Sequence, residues 1–423
     1  MAVSVTKLES GLTVVTDHMP HLETASVGVW VDTGARNERA DQHGVSHLLE
    51  HMAFKGTQRR SARAIAEEIE NVGGHLNAHT THESTAYYAR ILKNDTPLAV
   101  DLISDILQHS VFEAGELERE RGVVIQEIGQ ALDTPDDLVF DHLLEAAYPG
   151  QALGRTILGT VDTVKSFGRE ALQGYMDERY QAPRMVLAAA GGVDHDELVS
   201  LAQEGFAALP SGKGEAAEAA IFRGGERRET RDLEQAHVAL AFEGPAYGDP
   251  DYYTAQIFAS VLGGGMSSRL FQEVREKRGL CYSVFAYSWS FVDTGVLGVY
   301  AGTSPDDLAE LMPVLAGEIA RLGEDATEEE TARAKAQMKA GLLMNLESSS
   351  TRAEQIARQY TIYGRVLPLD EMIAKVDAVD AASLRRFAGR FLSKAAPALA
   401  AVGPLEGAGG GLESYERLAA RFA

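Results

Sequence analysis

Hydrophobic and small residues alternate in "SVGVWVDTG", which puts Val27, Val29 and Val31 on one face of an extended chain. The same period of two returns in "HVALAFEG", with Val238, Leu240 and Phe242. Such alternation predicts half-buried strands. A helical stretch follows each strand. Then comes a strand-rich block, "HLNAHTTHESTAYYARIL" in the first half and "YSVFAYSWSFVDTGVLGVYAGT" in the second. Next is a helix opened by Asn-Asp or Asp-Asp with Pro nearby, in "KNDTPLAVDLISDILQHSVF" and "SPDDLAELMPVLAGEIARL". A charged helix succeeds it, "GELERERGVVIQEIGQAL" or "TEEETARAKAQMKAGLLMNL".

The repetition is plainest at the ends of the halves. "VDTVKSFGREALQGYMDERYQAPRMVLAAAGGV" starts at Val161 and "VDAVDAASLRRFAGRFLSKAAPALAAVGPL" at Val376. Both run Val-Asp-x-Val, an amphipathic helix, a Pro, then an apolar strand that closes on Gly. Between the halves lies "SGKGEAAEAAIFRGGERRETRD", residues 211–232, rich in Gly, Ala and charge, which reads as a linker. The expectation is an α+β protein of two homologous domains, 1–210 and 233–423, each a mostly antiparallel sheet packed with helices. A repeat of this size is a duplicated domain rather than a solenoid.

Composition narrows the function. The 423 residues are 45% hydrophobic, enough for two cores. With 62 acidic and 39 basic residues, the net charge of −23 argues against nucleic acid and against an anionic membrane surface. It suits basic or positively flanked ligands, or simply an acidic soluble protein. The single cysteine, Cys281, excludes an intrachain disulfide and leans towards a reducing compartment. The opening "MAVSVTKLESGLTVVTDHMP" lacks the basic-then-apolar pattern of a signal peptide, and no apolar run reaches the roughly 18 residues of a membrane span. A cytoplasmic protein with no membrane insertion is the expectation.

The candidate chemistry begins in "VSHLLEHMAF", residues 45–54. At about 100° per residue, His47, Glu50 and His51 cluster on one side of a helix. Val45, Leu48, Leu49 and Met52 form a separate stripe. Histidines at i and i+4 lie one turn apart and chelate one ion. An isolated pentapeptide of this kind is more often a solvated polar face, so a third ligand decides. "ELERERGVVIQEI" offers Glu120 and Glu127, seven apart on one helix face, with Val123 and Val124 between them on that same face. Carboxylates in a stripe expected to be buried need a partner. Salt bridges to Arg or Lys would serve, and so would a dication. Glu116 and Glu118 read as exposed acids of the first turn. A rival cluster, His75, His79 and His82, does not converge, because on a strand His82 faces away from the other two.

"HLLEHMAFKGT", "GGHLNAHTTHESTAYYA" and "ERERGVVIQEI" together resemble the inverzincin metallopeptidases of the pitrilysin family. The branch that looks most similar holds the mitochondrial processing peptidase beta subunit and its bacterial homologues. The likeness covers essentially the whole chain, including "LGGGMSSRLFQEVREKRGLCYSV" in the second half. It places a Glu 76 positions after His51 (127 − 51). The resemblance implies one zinc ion per chain on His47, His51 and Glu127, with Glu50 as general base. It makes Glu120 a carboxylate that orients a ligating histidine. It further implies that substrate adds as a strand along Asn77, Ala78 and His79, and that Arg275 and Tyr282 clamp substrate. On the residues alone, Asn77 is as readily a turn or bulge residue, Arg275 a partner of Glu273 or Glu276, and Tyr282 a strand-start aromatic. The family fold is a clamshell, and members with two such domains usually dimerise to enclose a chamber, so a homodimer acting on unfolded peptides or targeting-type presequences is implied. Two other readings stand beside it: a non-catalytic scaffold subunit like the respiratory-complex core proteins, and hydrolysis of a non-peptide amide at the same site.

Overall fold

The computed structural model describes residues 3–394, 396–406 and 411–422. The chain forms two compact units. The first carries a six-stranded sheet in the order β1-β2-β6-β3-β5-β4. Its strands are β1 (Val3–Lys7), β2 (Thr13–His18), β3 (Thr24–Val31), β4 (His75–Thr80), β5 (Thr85–Leu92) and β6 (Met185–Gly191). The β2–β6 pair is parallel and the other pairs are antiparallel. One face packs Val14, Val27, Val29 and Val31 against the helices of the first half.

The other face of that sheet is also covered. Val15, Trp30, Ala86, Val186 and Ala188 pack on Ala353, Ile356 and Ala357 of the helix Ser349–Tyr363. That helix comes from the second half of the sequence. Its Arg352 Nε donates to Asp17 Oδ2 on β2 at 2.6 Å, and both side chains are buried. Ser26 Oγ lies 3.1 Å from both Ser349 Oγ and Ser350 Oγ. This cover explains why β3, expected to be half-buried, is buried along all but its first residue.

The second unit holds a five-stranded sheet in the order β7-β11-β8-β10-β9. These strands are β7 (Gly225–Thr230), β8 (Ala236–Glu243), β9 (Cys281–Ser290), β10 (Gly295–Thr303) and β11 (Ala398–Gly403). Only β7–β11 is parallel. Val238, Leu240 and Phe242 face one core, while Ala239 and Ala241 face Leu138, Val139 and Leu143 of the helix Pro135–Ala147. That helix belongs to the first half of the sequence.

The compact units are therefore not the contiguous halves 1–210 and 233–423. Residues 130–155 build the second unit and residues 343–367 the first. The expected linker, 211–232, also ends in a strand, because Gly225–Thr230 pairs with β11 as β7. The mixed α+β class and the two similar sheets match the expectation.

Candidate metal centre

The His-x-x-Glu-His segment is helical over Val45–Ala53. Val45, Leu48, Leu49 and Met52 are buried in the first core, and His47, Glu50 and His51 lie on the less buried side. The first residues of a helix leave amide donors without intrahelical partners. Here the buried Glu38 supplies acceptors: Oε2 for the Gly44 amide and Oε1 for the Ser46 amide, each at 2.8 Å. Gly44 itself has φ +93°, and a Cβ there would lie 2.7 Å from the Leu158 carbonyl oxygen. Glycine is thus required where the chain enters the helix.

The second helix spans Ala114–Leu132, with Leu117, Glu120, Val124 and Ile128 buried. Val123, expected to share the buried stripe, is 38% exposed. The buried arc is centred between Glu120 and Ile128, so Val123 falls outside it and Glu127 stands at its rim. The Glu127 side chain is 37% exposed. This rim faces the histidines. Glu127 Oε2 is 3.7 Å from His47 Nε2 and 3.4 Å from His51 Nε2. The two imidazole rings are 4.8 Å apart between centroids. Among the described residues, this trio is the one group of three or more His, Cys, Asp or Glu whose ligand atoms all lie within 4.8 Å of one another. His75, His79 and His82 form no such group; His79 instead sits 5.6 Å from the Tyr88 ring.

The donor set fits a tetrahedral dication. Metal–ligand bonds of about 2.0–2.1 Å at tetrahedral angles require ligand atoms ~3.4 Å apart, close to the two distances seen. Glu127 Oε2 and His47 Nδ1 are buried with no hydrogen-bond partner among the described residues. An acceptor left so is costly without an ion. Burial, and next the neighbouring His51, pulls His47 down to about 4, so its imidazole is neutral at pH 7 and holds a lone pair for a metal.

Glu120 faces the other edge of His51, with Oε2 3.1 Å from Nδ1. Its second oxygen, Oε1, is 2.7 Å from Lys55 Nζ. Both readings of a buried carboxylate thus occur on this one helix: Glu120 has a lysine partner and Glu127 is placed for an ion. No hydrogen bond or ion pair to a described residue holds Glu50. Its charge reaches the buried hydroxyls of Tyr87 and Tyr180, which donate and accept between themselves at 2.9 Å. Burial, more than Glu50, raises both phenols well above the usual range. Glu50 thus sits on the helix that carries both histidines, with no hydrogen-bond or ion-pair partner among the described residues.

Asn77, Ala78 and His79 lie on β4, the edge strand of the first sheet, in regular register with Tyr88, Tyr87 and Ala86. Asn77 is neither a turn nor a bulge residue. Its Oδ1 accepts from the Ala78 amide at 2.9 Å.

Arg275 and Tyr282 belong to the second unit and meet each other. Phe271–Glu276 is a π-helical turn rather than an α-helical one. It places the Arg275 guanidinium 4.8 Å from the Phe271 ring and 4.4 Å from the Tyr282 ring. Arg275 Nη1 donates to the Tyr282 carbonyl at 2.9 Å. Of the expected alternative partners, Glu273 pairs with Lys277 and Arg278, and no ion pair joins Arg275 to Glu276 among the described residues. Tyr282 is the extra residue of a bulge, because Ser283 pairs with Gly302 and Cys281 with Thr303. A bulge turns a side chain out of the ladder, and Tyr282 is 77% exposed.

The sequence reading missed Glu38, Lys55, Phe271 and the tyrosine pair. Lys55 carried a signal, lying four residues after His51 and hence on the same helical side. Phe271 likewise lies four before Arg275. Glu38 and the tyrosines carried none, since their roles depend on tertiary placement.

Two imidazoles one turn apart, a carboxylate from a second helix and a glutamate on the same helix as the imidazoles define a metallohydrolase-type centre with the His-x-x-Glu-His order. Residues 13–161 match the family model described as Insulinase (Peptidase family M16), and residues 166–338 match the Peptidase M16 inactive domain. The chain belongs to peptidase family M16. All three candidate ligands fall in the first match. The chain is 39% identical over 391 residues to an uncharacterized zinc protease of Rickettsia felis, covering 92% of this chain and 95% of that one. It is 40% identical over 432 residues to the mitochondrial-processing peptidase subunit beta of Lentinula edodes, covering 98% and 92%. The human subunit beta is 40% identical over 415 residues, covering 95% and 84%. Among solved structures, a protease from Helicobacter pylori superposes with a TM-score of 0.88 at 22% identity, over 95% of this chain and 99% of that one. A chain of Complex III2 from Candida albicans superposes with a TM-score of 0.86 at 25% identity over 100% of both. No helix among the described residues is long and apolar enough to cross a membrane.

Proposed function

We propose that this peptidase is a zinc-dependent endopeptidase acting on extended, unfolded peptides, targeting-type presequences among them. The carrying observation is the convergence of His47, His51 and Glu127, with Glu50, unpartnered among the described residues, on the helix of the two histidines. His47, His51 and Glu127 would hold the zinc, which, when bound, supplies Lewis acidity and lowers the pKa of a water towards neutrality. Glu50 accepts the proton of the attacking water and passes it to the amine nitrogen as the C–N bond breaks. One carboxyl and one amine terminus result, and Glu50 returns to its starting state. Glu120 keeps His51 turned with Nε2 towards the site through its contact with Nδ1.

The edge of β4 suits main-chain pairing with an extended substrate, which gives affinity with little demand on sequence. Asn77 must then release the Ala78 amide, so its side chain acts as a cap on the edge. Arg275 and Tyr282 supply N–H and O–H donors for a substrate carbonyl. Since this chain carries both the metal residues and this pair, a homodimer enclosing a chamber is the assembly proposed. Relatives named as subunits make a complex with a related chain the other outcome of a mass measurement.

The second reading is a scaffold subunit, favoured by the likeness to the Complex III2 chain. The complete ligand set speaks for catalysis. Quenched-fluorescence peptides incubated with the purified chain decide between them. Cleavage that stops on chelation and returns with zinc supports the peptidase. No cleavage by a zinc-loaded protein supports the scaffold.

A further inference from the structure

We propose that Lys55 is a positioning residue of the metal centre. By holding one oxygen of Glu120 it fixes the other on His51, and it keeps Glu120 from competing with Glu127 for the metal. The inference rests on the reading of His47, His51 and Glu127 as a zinc site.

The helix that carries the histidines ends at Ala53, but the Lys55 amide still donates to the Met52 carbonyl at 3.2 Å. This extra turn carries Lys55 to the side of His51. From there its ammonium reaches Glu120 Oε1 at 2.7 Å, while Glu120 Oε2 is 3.1 Å from His51 Nδ1. The last torsion of a glutamate is broad and roughly two-fold. An anchor on each oxygen removes that freedom. The Glu120 side chain is 9% exposed and that of Lys55 is 31% exposed, so the lysine closes the carboxylate off from the solvent side.

The competition follows from the geometry of His51. Glu120 Oε2 addresses its Nδ1 edge, and Glu127 Oε2 lies 3.4 Å from Nε2 on the opposite edge. Two glutamates, two turns apart on one helix, thus reach the same imidazole. Freed from Lys55, Glu120 would carry an unanchored, buried oxygen beside a dication. Such an oxygen gains most by turning towards the ion. Lys55 offsets its charge in place, so that His51 keeps its tautomer and Glu127 remains the carboxylate ligand. A cation near a dication also repels it, and this opposing effect gives the test its sign. If repulsion outweighed positioning, removing Lys55 would tighten zinc binding.

The full-length protein, stripped with a chelator, is titrated with zinc against a chromophoric competitor. The parent, Lys55→Met, Lys55→Arg, Glu120→Gln and the Lys55→Met/Glu120→Gln double variant are compared. One zinc bound by the parent supports the underlying site; none bound removes that reading and this inference together. With the site established, Lys55→Met is expected to weaken zinc by about 10–100-fold, the range for residues that orient ligands. Lys55→Arg should stay within a few-fold of the parent. The double variant should bind no more weakly than Glu120→Gln alone, because Lys55 acts through Glu120. Cobalt in place of zinc gives a second readout: Lys55→Met should lower the visible absorption as a further oxygen enters, and Glu120→Gln should abolish that change. Lys55→Gln, which keeps a donor, replaces Lys55→Met should the latter not fold, with the same direction expected. Unchanged or tighter zinc binding on loss of Lys55, or additive losses in the double variant, would overturn the proposal while leaving the zinc site intact.

Discussion

Glu127 stands at the rim of its helix, and its neighbour Val123 is outside the buried arc altogether. A ligand needs that position, with one oxygen turned inward and an approach left open. The sequence placed both carboxylates on one face because seven residues are nearly two turns. It could not say that a lysine takes one of them and that the other is left for an ion, since Lys55 and Glu120 meet only in the folded chain. Two consequences belong to single residues. In the chelated protein, the His47 imidazole is held near 4 against about 6.5 in the unfolded chain. The unfolded state then binds more protons between those values, so stability is full above pH 6.5 and is lost as pH falls towards 4. The loss is on the order of 3 kcal/mol. Urea midpoints of the metal-free protein at pH 7 and pH 5 should show it, and His47→Asn should remove that share of the pH dependence. An equal pH dependence in both would count against a neutral His47. The second consequence concerns Tyr282→Phe. The ring on which Arg275 stacks and the carbonyl it holds both remain. Only the hydroxyl goes, so zinc content should be unchanged while kcat/KM falls by about 10²–10³. Parent-like turnover would remove Tyr282 from the substrate site.

Helices cover sheets across the two halves of the sequence, and this is where the pattern of apolar positions ran out. A stripe on Ser349–Tyr363 or Pro135–Ala147 says that the helix covers a sheet, not which sheet. The alternation in β3 was legible as a strand, but its second buried face depended on a helix 323 residues further along the chain, counted from Ser26 to Ser349, and no periodicity reports that. The same limit hid the π-helical turn at Phe271–Glu276, which turns Arg275 onto two aromatic rings. Strand order within each sheet follows the repeated plan that the sequence did show. The buried Asp17–Arg352 pair tests the exchange directly. Removing one partner of a buried pair leaves an uncompensated charge and costs about 3–5 kcal/mol. Arg352→Met should therefore lower the denaturation midpoint strongly, and Asp17→Asn/Arg352→Met should recover much of the loss. A mild effect of the single substitution would mean that the helix is held by its apolar face alone.

A binding edge that needs an extended strand and a chamber proposed to enclose the metal both select unfolded chains. A stable folded protein should be spared while its denatured form is cut. Equal cleavage of both would contradict the enclosed site. Mass in solution distinguishes a dimer of this chain from a partnership with a related one. Central to the proposed function is a division of labour in which His47, His51 and Glu127 would hold zinc and Glu50 would move the proton. Metal content and turnover of Glu50→Gln, measured on the same preparation beside Glu127→Gln, test it most directly. Glu50→Gln should retain about one zinc per chain and lose turnover by several orders of magnitude, whereas Glu127→Gln should lose both. A Glu50→Gln protein that is empty of zinc, or one that still turns over, would contradict the account.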